Sequence, residues 1–107
     1  MRTVTRWWGR YEGDMLTQTE DGELLHDPLQ MTIYQGRILD VLISGVRVAV
    51  RGPSFYGGRI HFTALATPSH PIHCRGNKAG CIISGQIDVP SIKASGTFSV
   101  RLRRARI

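Results

Sequence analysis

The feature that most constrains this chain is the way its glycines punctuate it. Gly9, Gly13, Gly22, Gly36, Gly45, Gly52, Gly57, Gly58, Gly76, Gly80, Gly85 and Gly96 fall at intervals, and short runs of alternating apolar and polar residues lie between most of them. Period-two alternation is the mark of a strand with one buried face, and turn signals spaced ~8–12 residues apart favour a succession of short strands. The cleanest run is 46–51, where Val46, Val48 and Val50 share one face and Arg47, Ala49 and Arg51 the other. Leu29, Met31 and Ile33 alternate with Gln30, Thr32 and Tyr34, and Gln35-Gly36 and Ser44-Gly45 supply tight turns on either side of residues 38–43.

Further strands are expected at 60–64, 81–89 and 98–102, with Gly85 marking a bulge or bend inside the second of these. Asp21-Gly22, in a Thr-rich run, reads as a hairpin tip rather than part of a helix. Three stretches read as connections. Residues 52–58 form a loop carrying Phe55 and Tyr56, the prolines of 67–71 stiffen a connector, and Arg75–Gly80 is a hairpin loop between Cys74 and Cys81. Eight or nine short strands must bury one face, and closure removes the edges that would otherwise template aggregation. The expectation is all-β: a small antiparallel meander forming a closed or nearly closed β-barrel of about eight strands. A chain of 107 residues has room for one core, so 1–107 is read as a single domain.

A meander of this kind with an early tryptophan is similar to the calycin barrels, the lipocalin and avidin architectures, which bind small apolar ligands in the barrel mouth. Here that resemblance implies an apolar site near Trp7, Phe62 and Phe98. The segment Arg6-Trp-Trp-Gly-Arg10 resembles the Arg-x-x-x-Arg half of the cyclic-dinucleotide motif of PilZ domains, which are small β-barrels of similar length. The other half of that motif, Asp or Asn-x-Ser-x-x-Gly, is not met: Asp88-Val-Pro-Ser91 has one residue too many and lacks the glycine. No family is assigned.

Charge is unevenly distributed. Residues 1–27 carry three Arg against six acids, a balance of −3, and the remaining 80 residues carry eleven Lys or Arg against Asp40 and Asp88, a balance of +9. Such asymmetry concerns partners and solubility rather than fold. Arg6 and Arg10 share a face of the first strand with Trp8, and Arg101 and Arg103 share a face of the last. First and last strands are neighbours in a closed meander, so these groups would meet across one seam, where like charges destabilise. The offset is either internal, from the acidic hairpin around Glu20-Asp21 or from solvent, or external, from a polyanion. Guanidinium groups suit phosphates, and exposed aromatics such as Trp8, Tyr34 or Tyr56 could stack bases. Arg47, Arg51 and Arg59 would extend the basic face, and the tail from Arg101 to Arg106 is either a phosphate-binding arm or a solubilising end. Trp7 and Trp8, adjacent on a strand, face opposite sides, so one plugs a barrel end.

Motifs for chemistry are sparse. His70, His73, Cys74 and Cys81, with His61 as a further candidate, have the right ligand types for zinc, but the spacing fits no compact knuckle and Pro71 intervenes. No metal or other cofactor is expected, and Cys74 and Cys81 are either buried as small apolar residues or close enough to pair. No nucleophile-elbow, phosphate-loop or zincin motif occurs. The leading reading is a non-catalytic binding module presenting Arg6, Arg10, Arg47, Arg51, Arg101 and Arg103, with Trp8 and Tyr56 as contact residues, to an anionic partner: nucleic acid, nucleotide or acidic protein. The alternatives are a calycin-like carrier, and a small enzyme whose site is not visible in sequence. No apolar run approaches the ~18 residues of a membrane span and no secretory apolar segment follows Met1, so the expected location is cytoplasmic.

Overall fold

A computed structural model describes residues 7–67 and 69–104, the last of these in its backbone only. Its strands run β1 (Gly9–Gln18), β2 (Leu24–Tyr34), β3 (Arg37–Ile43), β4 (Val46–Tyr56), β5 (Arg59–Leu65), β6 (Pro71–Ala79), β7 (Ile82–Val89) and β8 (Ala94–Arg104). Each pairs antiparallel with the next, and β8 returns to β1 to close an eight-stranded barrel. The only helical element among the described residues is a 3-10 turn at Pro90–Ile92 between β7 and β8. Barrel closure leaves no open sheet edge, as the meander pattern predicts. Arg6, expected on the first strand, lies outside the described residues, as does Pro68 of the 67–71 connector.

Alternation becomes inside and outside. Tyr11, Met15, Leu29, Met31, Ile33, Val41, Ile60, Phe62, Ile83, Ile87, Phe98 and Val100 are all buried in one continuous interior. Eight strands enclose a space that side chains just fill. Trp7 plugs the barrel beside β4, its ring edge-on to Phe55 with centroids 5.1 Å apart. Trp8 is half-exposed and lies against Tyr34 at 5.0 Å. Tyr11 is wholly inside, and its hydroxyl has no hydrogen-bond partner among the described residues. Burial, helped by nearby Cys81, pushes this phenol up to about 12, so it stays neutral.

The turns follow the dipeptides. Gln35-Gly36 and Ser44-Gly45 both place two residues at positive φ, the geometry whose twist matches the flanking strands. The Asp21-Gly22 tip is closed by Thr19, which bonds the Asp21 carboxylate at 2.5 Å and receives the Glu23 amide at 3.0 Å. The Thr19 hydroxyl and local amides hold the Asp21 carboxyl below its usual range.

Two connections read from the sequence are strand instead. Residues 52–56 belong to β4, because Gly52 at φ +61 and Pro53 form a bulge: Arg51 pairs with Thr63 and Ser54 with His61, leaving two residues opposite one. Pro53 lacks an amide to donate and is tolerated at a bulge, and beyond it Phe55 faces inward while Tyr56 faces out. Residues 75–79 likewise belong to β6, so the turn sits at Gly80-Cys81 and the loop expected between the cysteines is absent. The glycines at 76 and 80 mimic a loop, yet Gly76 points inward at a position where the Phe98 ring covers it.

The cysteines are therefore dissimilar. Cys74 is buried and Cys81 exposed, and both are free. Burial pushes the Cys74 thiol up to about 12, so the thiolate that reacts with alkylating agents is suppressed there. Titration with a thiol reagent near neutral pH is expected to modify Cys81 alone in the native protein, and both cysteines after denaturation. Rapid modification of two native thiols would contradict the inward placement of Cys74.

Candidate anion-binding cleft

The strands bring the arginines to two separate places. Along the β1–β8 seam, Arg10 pairs with Arg104 in the backbone register and Glu12 with Arg101, while Arg103 is the extra residue of a bulge. Bulges re-aim side chains, and here Arg103 turns its Nε to within 3.5 Å of Glu12. Arg10 approaches the same carboxylate at 3.7 Å and donates to Gln30 Oε1 at 3.3 Å. The seam is real, but a strand acid shares two of its guanidiniums. The acidic hairpin does not serve here: Glu20 pairs with Lys93 at 3.8 Å, and Asp14 with His26 at 2.9 Å. All these pairs are exposed, so each contributes little to stability.

The second place is the outer face of β4–β8, where a cleft of about 1010 Å³ opens. Tyr56, Arg59, His61 and Arg75 line one side, and Gln86, Thr97 and Ser99 the other. Pairing sets the spacing: Tyr56 lies opposite Arg59, and His61 opposite Arg75. The remaining lining includes Ser54, Asn77 and Ser84, and no lining residue is acidic. Among the described residues no ion pair reaches Arg51, Arg59, Arg75 or Arg101. Arg75 thus stands opposite His61 and one diagonal step from Arg59, so two guanidiniums share this face without a carboxylate partner.

Close strand approach shapes the cleft. Gly76 and Gly85 face each other across β6 and β7, and a methyl on Gly85 would land on the Arg75 carbonyl oxygen. Beyond Gln86 and Thr97 the same face continues into a smaller hollow of about 370 Å³, where His73 lies opposite Asp88. The face therefore has a cationic end and an end carrying an acid.

Of the residues expected to form a site, Tyr56 lines the cleft, 80% exposed. Arg51 lies on the same outer face of β4, across the bulge from Ser54, and Arg101 lies two residues beyond Ser99 on β8. Arg10 and Arg103 belong to the Glu12 seam. Arg47 is turned toward β3, where it donates to the Leu39 carbonyl at 3.4 Å, and Trp8 is with Tyr34 rather than in the cleft. Arg6 lies outside the described residues. Arg75, within the segment that reads as a loop, is a cleft residue of β6; the signal for it is that His73, Arg75 and Asn77 alternate with Cys74 and Gly76 at the strand period.

The interior residues of the carrier reading, Trp7, Phe62 and Phe98, are buried members of the core, so an apolar ligand at those positions would have to displace side chains that hold the barrel together. The candidate metal ligands are dispersed. His70 meets Ser91 at 2.7 Å, His73 meets Thr63 at 3.2 Å, and Cys74 is inside. No group of three or more His, Cys, Asp and Glu gathers among the described residues. Among the described residues no helix is long and apolar enough to cross a membrane.

No protein-family model, curated protein or solved structure matches this chain.

Proposed function

We propose that the protein is a non-catalytic binding module whose outer cleft on β4–β8 takes an anionic partner. The observation that carries this reading is the convergence of Arg59, His61 and Arg75 in a lining without a single acid. An external anion relieves the repulsion between the two guanidiniums and gains charge-assisted hydrogen bonds, which are stronger than neutral ones. Arg51 and Arg101, at the margins of the cleft, add to the attractive field.

Inorganic polyphosphate, titrated at about 50 and about 200 mM salt, tests the reading, because each phosphate contact adds about 0.7 to the salt slope of a flexible polyanion. The two cleft arginines should make affinity fall by roughly sevenfold over that range. The double variant Arg59→Gln/Arg75→Gln should bind weakly and lose that factor. Arg10→Gln/Arg103→Gln, at guanidiniums that already share Glu12, should change affinity less than threefold, or about 0.6 kcal/mol. Absence of polyphosphate binding at low salt, or loss through the seam pair instead of the cleft pair, would overturn the proposal.

A further inference from the structure

We infer that the anion the cleft takes is single-stranded nucleic acid, lying across β4–β8 with a base stacked on Tyr56; this rests on the anion-binding reading above and narrows it. Tyr56 is the most exposed of the large hydrophobic side chains among the described residues, at 80%. It is also the direct cross-strand partner of Arg59. A bare polyanion has no use for an exposed phenol ring beside a guanidinium. A nucleotide chain does, since the ring stacks a base while the guanidinium holds the adjoining phosphate.

Shape argues for a polymer. Five strands at about 4.8 Å spacing make the cleft roughly 19 Å across, and its polar lining residues Arg59, His61, Arg75, Asn77, Gln86 and Thr97 are exposed along that span. Sites for a single small ligand instead bury most of the ligand's surface in an enclosed pocket. Apart from Arg59, His61 and Arg75, the polar side chains of the lining are mostly hydroxyls and carboxamides, Ser84, Ser99, Asn77 and Gln86 among them. These both donate and accept hydrogen bonds, so they can meet the edges of unpaired bases, which present donors and acceptors side by side. The bases of a duplex are stacked on one another and so are withheld from the tyrosine ring, whereas those of a single strand are free to meet it.

The test uses the whole chain and three probes, read by fluorescence anisotropy or by competition: a fluorescein-labelled oligothymidylate of about ten nucleotides, a duplex of the same length, and inorganic polyphosphate. The oligothymidylate should bind at low salt at least tenfold more tightly than the duplex. Tyr56→Ala should weaken oligothymidylate about tenfold and leave polyphosphate unchanged, and Tyr56→Phe should restore the oligonucleotide affinity because stacking needs the ring and not the hydroxyl. Arg59→Gln/Arg75→Gln should weaken both ligands. If Tyr56→Ala leaves oligothymidylate unaffected, or if the duplex binds as tightly, the nucleic-acid assignment is overturned while polyphosphate binding still upholds the anion cleft. If the oligothymidylate and polyphosphate both fail to bind, both readings fall.

Discussion

Substituting alanine for Gly85 is expected to destabilise the barrel by about 3 kcal/mol or more, the upper end of what overpacking usually costs. The residue sits in mid-strand, paired with Gly76 on one side and Phe98 on the other. Its added methyl would meet the Arg75 carbonyl oxygen and the Gly76 Cα, both backbone atoms that no rotamer change can remove. Relief requires β6 and β7 to move apart, which lengthens ladder hydrogen bonds and disturbs the cleft floor together. Thermal unfolding followed by circular dichroism should show a midpoint lowered by roughly 12 °C, taking about 4 °C per kcal/mol for a domain of this size. Gly58→Ala is the control. Its methyl would meet only the Lys78 carbonyl at an ordinary 3.7 Å, so its midpoint should stay within a few degrees of the parent. Equal midpoints for the two variants would contradict the close strand approach.

Truncating Phe98 to alanine should cost about 3–5 kcal/mol, the range for deleting a buried aromatic ring. The ring is 2% exposed. It fills the interior beneath Gly76, where a built Cβ would come within 2.9 Å of its Cζ. The variant should retain strand content and show a lowered urea midpoint. An emptied apolar space of this kind admits small apolar molecules, so the variant should gain stability from dissolved benzene where the parent gains none. Strong stabilisation of the parent protein by benzene would instead revive the interior carrier reading that Trp7, Phe62 and Phe98 prompted.

The residues of 46–51 and 29–34 show why the barrel was legible. Alternation of apolar and polar side chains states which face is buried, and paired turn residues such as Gln35-Gly36 and Ser44-Gly45 state where the chain reverses. Both signals are local, so they survive in sequence. The misreadings share one cause. Glycine and proline at 52–53 and glycine at 76 look like loop signals, but a bulge and a close interstrand approach use the same residues. Gly76 adjoins Arg75, whose position opposite His61 depends on a strand pairing that no local signal expresses.

Local alternation and turn residues by themselves determined an antiparallel meander, closed or nearly closed, with a basic excess beyond residue 27; the β1–β8 pairing that closes it belongs to the tertiary structure. Only tertiary structure decided where that excess gathers. Register and bulges are properties of strand pairs, and they turned Arg10 and Arg103 toward Glu12, sent Arg47 to the Leu39 carbonyl, and aligned Arg59, His61 and Arg75 in one cleft. A shift of one residue moves a side chain to the opposite face of a sheet, so a single bulge outweighs any count of charges along the chain.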